Sequence, residues 1–251
     1  MSFPFYLEVL GLRLHPHAVF EAAGYLLGFR LFLSLRRRWL GSALPLENSL
    51  WILAGCIAGA LIGSRLLAWA EWPREFLDHW REASTWTGGK TIVGGIMGGW
   101  IGVEIVKRRM GITAATGDIY VFPLILGMCI GRVGCFLTGL ADRTHGNATT
   151  LPWGVDFGDG IPRHPTQLYE IVYLVALGVF LALRMRKRFE RGEIFRLFVA
   201  SYFIFRFIAE FIKPHGVLIA GLSAIQIAAL GGAIYCVIEI VRTHRAPLSY
   251  S

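Results

Sequence analysis

Charged residues are scarce in this chain of 251 residues and make up only 17% of the sequence. A typical soluble domain carries about 25% charged residues, so the composition argues against that class of protein. Hydrophobic residues make up 55% of the chain, and the mean hydropathy is +0.54. We therefore expect an integral membrane protein of the helical kind, because a helix satisfies its own backbone hydrogen bonds in lipid.

Cysteine is also scarce, and its placement argues against two kinds of site. All four cysteines lie within apolar stretches, without metal-ligand spacing and without loop positions suited to pairing: Cys56, Cys129, Cys135 and Cys236. Disulfide frameworks and cysteine-based metal sites both require such patterns. We expect packing roles for most of the cysteines, and neither a metal ion nor a cofactor.

Seven apolar segments follow one another along the chain, with no internal repeat between them. They cover about residues 18–35, 49–70, 91–106, 119–139, 166–183, 194–213 and 217–241. A helix of about 20 apolar residues crosses a hydrocarbon core of roughly 30 Å. We predict an all-α polytopic membrane protein with about seven transmembrane helices, forming a single domain over residues 1–251.

Basic clusters follow alternate segments and predict the orientation of the chain. They come after the first, third, fifth and seventh segments, at 36–38, 107–109, 184–191 and 242–245. Cytoplasmic loops carry an excess of lysine and arginine. The pattern therefore predicts an outer N-terminus, a cytoplasmic C-terminus and an outer loop at residues 140–165.

Two arginines lie inside apolar segments, where a charge costs about 2.5–3.5 kcal/mol even on lenient scales. Arg132, in the fourth segment, has Gly131 and Gly134 beside it, and these glycines leave room for a bidentate contact to a phosphate. Arg206 lies in the sixth segment. Such residues face a polar cavity or an anionic partner, so we expect the protein to handle a negatively charged molecule within the membrane.

The sixth segment places three polar residues on one helical face. Tyr202, Arg206 and Glu210 are spaced at i, i+4 and i+8. In one interpretation Arg206 is a charge clamp that Glu210 orients. The alternative is a structural ion pair that only joins helices, which is costly in lipid.

The third segment is rich in glycine and also has two interpretations. Seven glycines lie between residues 88 and 102, and small residues at this density let helices pack closely. Alternatively, the backbone at Gly94 and Gly95 approaches a lipid phosphate.

The outer loop and the start of the fifth segment hold the remaining candidates. Five of them run from the loop into the first turns of a helix: Arg163, His164, Gln167, Tyr169 and Glu170. His145 and His164 are candidate bases. His145 is favoured, because Asp142 would hold its imidazole in one tautomer and Gly146 leaves space for a substrate.

Three motifs resemble the prolipoprotein diacylglyceryl transferase family: GRVGCF at 131–136, RHPTQLYE at 163–170, and the tyrosine, arginine and glutamate of the sixth segment. The resemblance covers nearly the whole chain and implies an enzyme of the bacterial inner membrane whose site opens to the periplasm. It implies transfer of the diacylglyceryl group of phosphatidylglycerol to the cysteine thiol of a lipoprotein precursor. A nucleic-acid partner is not expected.

The resemblance also assigns roles to the candidates. Catalytic roles are expected for Arg132, Arg206, Glu210 and His145. Substrate-binding roles are expected for Tyr202, Gly94, Gly95, Gly131, Gly134, Arg163, His164, Gln167, Tyr169 and Glu170.

Several positions depart from the family pattern, and they leave His145, His164, Glu21 and Glu210 as the candidate bases. The family's Asn-x-Glu after the GRxG motif is absent, leaving Thr138 and Leu140. A histidine of the third span is replaced by Val93, an asparagine after the GRxG motif by Cys135, and a tyrosine of the first span by Glu21. The two arginines are retained while part of the polar lining is lost. Two alternatives to the family reaction therefore stay open, namely transfer to another acceptor and phospholipid binding without catalysis.

Overall fold

The computed structural model describes residues 3–9, 11–39 and 45–245, which are mostly helical. Within them the α-helices are α1 Pro16–Trp39, α2 Leu46–Glu71, α3 Pro73–His79, α4 Ala83–Thr87, α5 Ile92–Arg109, α6 Val121–Thr138, α7 Thr166–Arg184, α8 Glu193–Ala209 and α9 Ala224–Arg245. Three 3₁₀ turns lie at Gly117–Tyr120, Gly139–Asp142 and Glu210–Ile212. Two short antiparallel hairpins pair β1 Leu7–Val9 with β2 Leu12–Leu14, and β3 Val155–Asp156 with β4 Pro162–Arg163.

Each of the seven predicted apolar segments overlaps one of the long helices in the described ranges, namely α1, α2, α5, α6, α7, α8 and α9. The last helix begins at Ala224, so residues 217–223 of the seventh segment lie outside it. Among the residues that the structure describes, five stretches are long and apolar enough to cross a membrane: Pro16–Arg36, Leu46–Glu71, Gly117–Asp142, Thr166–Arg184 and Ala224–Thr243. Helix α5 carries Glu104 and three basic residues within its 18 residues, and α8 has only 17 residues. The predicted helical membrane class is confirmed, while the count of seven spans and the orientation stay predictions.

The described residues form two compact units. The first is drawn from Met1–Trp39, Thr116–Phe198 and Phe211–Pro214, and the second from Leu40–Ala115, Val199–Glu210 and His215–Ser251. The first unit contains α1, α6, α7 and both hairpins, and the second contains α2, α5 and α9.

In the first unit, α1 packs along α6 through glycines. A Cβ atom on Gly24 would lie 3.0 Å from the carbonyl oxygen of Gly127. One on Gly134 would lie 2.7 Å from the Cβ of Phe20. Because neither glycine has a side chain, the two backbones approach closely. This packing brings the start of α1 beside the last turn of α6.

In the second unit, α2 and α5 meet along a glycine seam. On α2 the glycines recur every four residues at Gly55, Gly59 and Gly63, and each faces the α5 backbone at Gly102, Gly98 and Gly94. A Cβ atom on five of these six would overlap a backbone oxygen of the other helix, and one on Gly55 would overlap the side chain of Val106. The spacing of four places the glycines on one face of each helix, so the backbones are in contact.

Buried carboxylates satisfy the free N–H groups at the start of two helices. Asp118 accepts hydrogen bonds from the backbone nitrogens of Gly192, at 2.6 Å, and Phe195, at 2.9 Å, where α8 begins. Glu71, at the end of α2, accepts one at 3.0 Å from the nitrogen of Ile225 in the first turn of α9. A negative charge at a helix N-terminus also complements the helix dipole.

Candidate active site

Arg132 on α6 is paired with Glu170 on α7. Nη2 of Arg132 lies 2.9 Å from Oε2 of Glu170, and the two side chains are 7% and 3% exposed. Glu170 follows Pro165 by little more than one helical turn, and that turn fixes its position. The pair balances the buried guanidinium charge and holds it in place. Sequence reasoning named both residues but missed their contact.

The two glycines beside Arg132 have different surroundings. A Cβ atom on Gly131 would have no neighbour within 4 Å, so this glycine does leave open space. Gly134 does not leave room. A Cβ atom built on Gly134 would lie 2.7 Å from the Cβ of Phe20 and 3.3 Å from the Cα of His17. Of the two glycines, Gly131 therefore borders open space and Gly134 does not.

The close approach of α1 brings His17 to the end of α6. Its Nδ1 lies 3.0 Å from Oδ1 of Asp142 and 3.9 Å from the sulfur of Cys135. Nη1 of Arg132 lies 3.9 Å from the same sulfur. Sequence reasoning missed His17, because it lies 118 residues from Cys135 and no motif contains it.

The sequence had suggested that Asp142 holds the imidazole of His145, but the two side chains have other partners. One carboxylate oxygen of Asp142 faces His17, and the other accepts a hydrogen bond of 2.9 Å from the hydroxyl of Thr144. His145 instead has its Nδ1 3.0 Å from the carbonyl oxygen of Gly146. A carbonyl only accepts, so this contact places a proton on Nδ1 and leaves Nε2 as the basic nitrogen of the neutral ring.

Gly146 does not provide space for a substrate either. A Cβ atom on it would lie 2.6 Å from the Cβ of His164 and 2.8 Å from the carbonyl oxygen of Ile212. Its nitrogen donates a hydrogen bond of 2.8 Å to the carbonyl of His164. Gly146 is therefore a packing residue, which allows the loop to lie against the start of α7.

His164 and Tyr169 connect the loop to α7. The Tyr169 hydroxyl accepts a hydrogen bond of 2.8 Å from Nε1 of Trp153 and lies 3.2 Å from Nδ1 of His164. The backbone nitrogen of His164 also donates a hydrogen bond of 3.1 Å to the carbonyl oxygen of Asn147. These contacts indicate that His164 joins loop and helix.

Arg163 and Gln167 are both engaged within the loop region. Arg163 donates to Asp159 at 2.6 Å, and this hydrogen bond holds the pKa of Asp159 below its usual value. Gln167 is buried and donates from Nε2 to the Thr144 hydroxyl at 3.1 Å. In the described part of the chain, its Oε1 has no hydrogen-bond partner.

On α8, Arg206 donates from Nη2 to Oε2 of Glu210 at 2.7 Å, and both residues are buried. Tyr202, one turn earlier, is fully buried, with its ring centroid 6.4 Å from those of Phe203 and Phe205. The contact predicted from the i, i+4 spacing is present. It is compatible with both the clamp and the structural interpretation.

At the start of α5 the geometry favours packing over lipid binding. The nitrogen of Gly94 donates to the Thr91 side chain at 3.3 Å, and that of Gly95 donates to the Thr91 carbonyl at 3.0 Å. Gly94 is also part of the glycine seam with Gly63. Neither N–H group is left for a phosphate.

The model of the family described as prolipoprotein diacylglyceryl transferase matches residues 4–242. The chain belongs to the prolipoprotein diacylglyceryl transferase family. Three relatives in this family carry the name phosphatidylglycerol–prolipoprotein diacylglyceryl transferase. The Bordetella avium protein is 30% identical over 270 residues, covering 98% of this chain and 100% of the relative. The Methylobacillus flagellatus protein is 35% identical over 219 residues, which cover 79% of this chain and 82% of the relative. The Nitratidesulfovibrio vulgaris protein is 33% identical over 199 residues, which cover 76% of this chain and 72% of the relative.

The structure shows what surrounds three positions at which the sequence is expected to depart from the family pattern. Val93 is buried next to the glycine seam. Cys135 faces His17, and Glu21 has Oε2 3.5 Å from Nε2 of the same histidine. Two of the three departures therefore contact one residue, His17, and form a polar cluster with it.

Proposed function

We propose that the protein transfers the diacylglyceryl group of phosphatidylglycerol to the cysteine thiol of a lipoprotein precursor. The bacterial inner membrane is the proposed location, with the site on the outer side. Membership of the family supports the reaction. The observation that carries the site assignment is the buried Arg132–Glu170 pair beside the open space at Gly131.

In the proposed reaction the acceptor thiolate attacks the glycerol carbon that bears the phosphate ester. A carbon–sulfur bond forms and the carbon–oxygen bond breaks, so the electron pair leaves with the oxygen and the head group departs as glycerol phosphate. Negative charge grows on that oxygen. A guanidinium already fixed in a water-poor site stabilises such charge by about 3 kcal/mol, because it needs no reorganisation during the reaction.

Arg132 is the proposed cation of the first unit. Its Nη2 is held by Glu170, and the open side at Gly131 leaves space for a phosphate. Glu170 acts as a positioning residue, because it fixes the guanidinium and balances its charge in the absence of lipid.

Arg206 is the proposed cation of the second unit. Glu210 holds its guanidinium at 2.7 Å, and Tyr202 lies one turn earlier on the same helix. A planar guanidinium is suited to bidentate contact with phosphate oxygens, which an ammonium group lacks. Glu210 is therefore proposed to orient Arg206 for the anion.

His145 is the proposed proton acceptor for the thiol. The Gly146 carbonyl fixes its tautomer and leaves Nε2 as the basic nitrogen. Arg163, His164 and Tyr169 are proposed to shape the loop around the peptide substrate. Gln167 is proposed to contact substrate through its partnerless Oε1.

The test is a transfer assay with purified protein, phosphatidylglycerol and a lipobox peptide. Mass spectrometry should detect a peptide heavier by one diacylglyceryl group, together with free glycerol phosphate. A peptide with serine in place of the acceptor cysteine is the control and should stay unmodified. Lipid binding without either product would contradict the transfer and favour the non-catalytic alternative, which the loss of a histidine at Val93 supports.

A further inference from the structure

Three side chains of different chemistry meet where α1 begins and α6 ends. They are His17 in the first turn of α1, Cys135 in the last turn of α6, and Asp142 at the end of the 3₁₀ turn Gly139–Asp142. The imidazole nitrogen, the sulfur and a carboxylate oxygen all lie within 4.8 Å of one another. The proposed transfer reaction uses none of the three.

Both Cys135 and Asp142 face the same ring nitrogen of His17. Nδ1 lies 3.0 Å from the carboxylate oxygen and 3.9 Å from the sulfur. A cysteine–histidine–aspartate relay requires thiol and carboxylate on opposite ring nitrogens. The arrangement is therefore unsuited to relaying a proton, but it directs three donor atoms at one point.

The spacing of the donor atoms fits a tetrahedral zinc ion. Zinc–ligand bonds of about 2.0–2.3 Å place neighbouring donors roughly 3.2–3.6 Å apart. The distance of 3.0 Å from Nδ1 of His17 to Oδ1 of Asp142 lies just below that range, and the distance of 3.9 Å from Nδ1 to the sulfur of Cys135 lies just above it. The sulfur and the carboxylate oxygen lie within 4.8 Å of each other, so they must approach by up to about 1 Å to complete the geometry.

His17 and Asp142 each have a hydrogen-bonding neighbour of the kind that orients metal ligands in proteins. Glu21 has Oε2 3.5 Å from Nε2 of His17, so a proton on Nε2 keeps an acceptor when the ion replaces the proton between Nδ1 and Asp142. Tyr25 donates to the other oxygen of Glu21 at 2.8 Å. Thr144 donates to Oδ2 of Asp142, so Oδ1 remains the oxygen facing the cluster.

We propose that Nδ1 of His17, the sulfur of Cys135 and Oδ1 of Asp142 bind one divalent zinc ion. A thiolate and a carboxylate together supply two negative charges, which match the ion, and mixed nitrogen, sulfur and oxygen ligands suit zinc. Coordination releases two protons to solvent, that of the Cys135 thiol and the one that lies between Nδ1 of His17 and Asp142. The side chains of His17 and Asp142 are 34% and 14% exposed, which provides an entry path.

One cation lies close to the proposed ion. Nη1 of Arg132 is 3.9 Å from the sulfur of Cys135. Its charge is balanced by Glu170, at 2.9 Å. Three protein ligands leave a fourth position for water or another exogenous ligand, as in zinc sites that are not purely structural.

The test measures metal binding and does not depend on transferase activity. Tag-free protein in detergent is stripped with a chelator and titrated with Co²⁺, whose thiolate charge-transfer absorption reports sulfur ligation. Wild-type protein should show this absorption, lose it on addition of Zn²⁺, and retain about one zinc per chain after dialysis. Cys135→Ser should abolish the absorption, while the matched control Cys129→Ser, on the same helix, should keep it.

Three further substitutions separate metal ligation from folding. His17→Gln and Asp142→Asn should each weaken Co²⁺ binding by more than about 100-fold, because each removes a ligand. Glu21→Gln removes only a hydrogen-bond partner of a ligand, so it should weaken binding by about 10-fold and keep the absorption. Size-exclusion chromatography identifies the folded variants. The proposal is overturned if folded Cys135→Ser keeps the absorption, or if wild-type protein shows none and retains no zinc.

Discussion

Nη2 of Arg132 and Oε2 of Glu170 lie 2.9 Å apart between α6 and α7, and both side chains are almost completely buried. Breaking such a pair leaves an uncompensated buried charge and costs about 3–5 kcal/mol, whereas replacing both partners with apolar residues is often neutral. The pair therefore allows a structural role of Arg132 to be separated from a role in the reaction.

We predict that Glu170→Gln lowers the thermal stability, because it leaves the Arg132 guanidinium without its carboxylate. The double variant Arg132→Met/Glu170→Leu should regain most of the stability but have no transferase activity. Thermal unfolding in detergent and the mass-spectrometric transfer assay measure the two effects. Full activity of the folded double variant would show that Arg132 only joins α6 to α7.

Arg206 is predicted to require its guanidinium group. Arg206→Lys keeps the positive charge next to Glu210 but loses the planar fork, so we expect kcat to fall about 100-fold with little change in folded yield. Arg206→Ala should remove turnover altogether. Wild-type rates for Arg206→Ala, in protein that elutes as a single species, would contradict the clamp assignment and leave the ion pair with a structural role.

The two glycines beside Arg132 predict opposite effects of the same substitution. Gly131→Ala adds a methyl group where no atom lies within 4 Å, and it should raise the unfolding free energy by up to about 1 kcal/mol, because alanine favours helix. Gly134→Ala places the methyl 2.7 Å from the Cβ of Phe20 and should destabilise the protein. Thermal unfolding of both variants measures the difference. Equal stability would contradict the close packing of α1 on α6.

The orientation of the chain is predicted from charge alone. A cysteine at position 147 should react with a membrane-impermeant reagent from outside the cell, and a cysteine at position 188 only after the membrane is permeabilised. The native cysteines are replaced first, so that each variant carries one thiol. Labelling at 188 but not at 147 in intact cells would reverse the predicted orientation.

Periodicity and local spacing account for what the sequence predicted correctly. The apolar segments overlap the long helices, and the i, i+4 spacing of Arg206 and Glu210 placed them in contact. Both relationships are local in sequence, since Glu210 follows α8 directly in the 3₁₀ turn Glu210–Ile212, and over such short separations the sequence fixes the distance.

Contacts between helices were not accessible in the same way. The pairing of Arg132 with Glu170 and the meeting of His17 with Cys135 depend on which helices pack and at what depth. Asp142 was assigned to His145, its neighbour in sequence, but it contacts a residue on α1. Proximity in sequence is a weak guide in a loop, because the backbone turns there and separates adjacent side chains.

His145 and His164 differ in the group that Nδ1 of each ring faces. The Gly146 carbonyl at 3.0 Å from Nδ1 of His145 leaves Nε2 as the proton acceptor. His164 has its Nδ1 facing the Tyr169 hydroxyl and joins the loop to α7. A general base works only while unprotonated, so its removal should lower kcat and alter the acidic limb of the pH–rate profile.

We therefore expect His145→Gln to reduce kcat about 100-fold and to change that limb, as is typical of general-base loss. The matched control His164→Gln should lower stability but keep the shape of the profile in the fraction that folds. Steady-state rates of both variants across the acidic to neutral range measure this difference. If the profile of His145→Gln matches that of wild type, no base acts at this position, and positive charge near the thiol must lower its pKa instead.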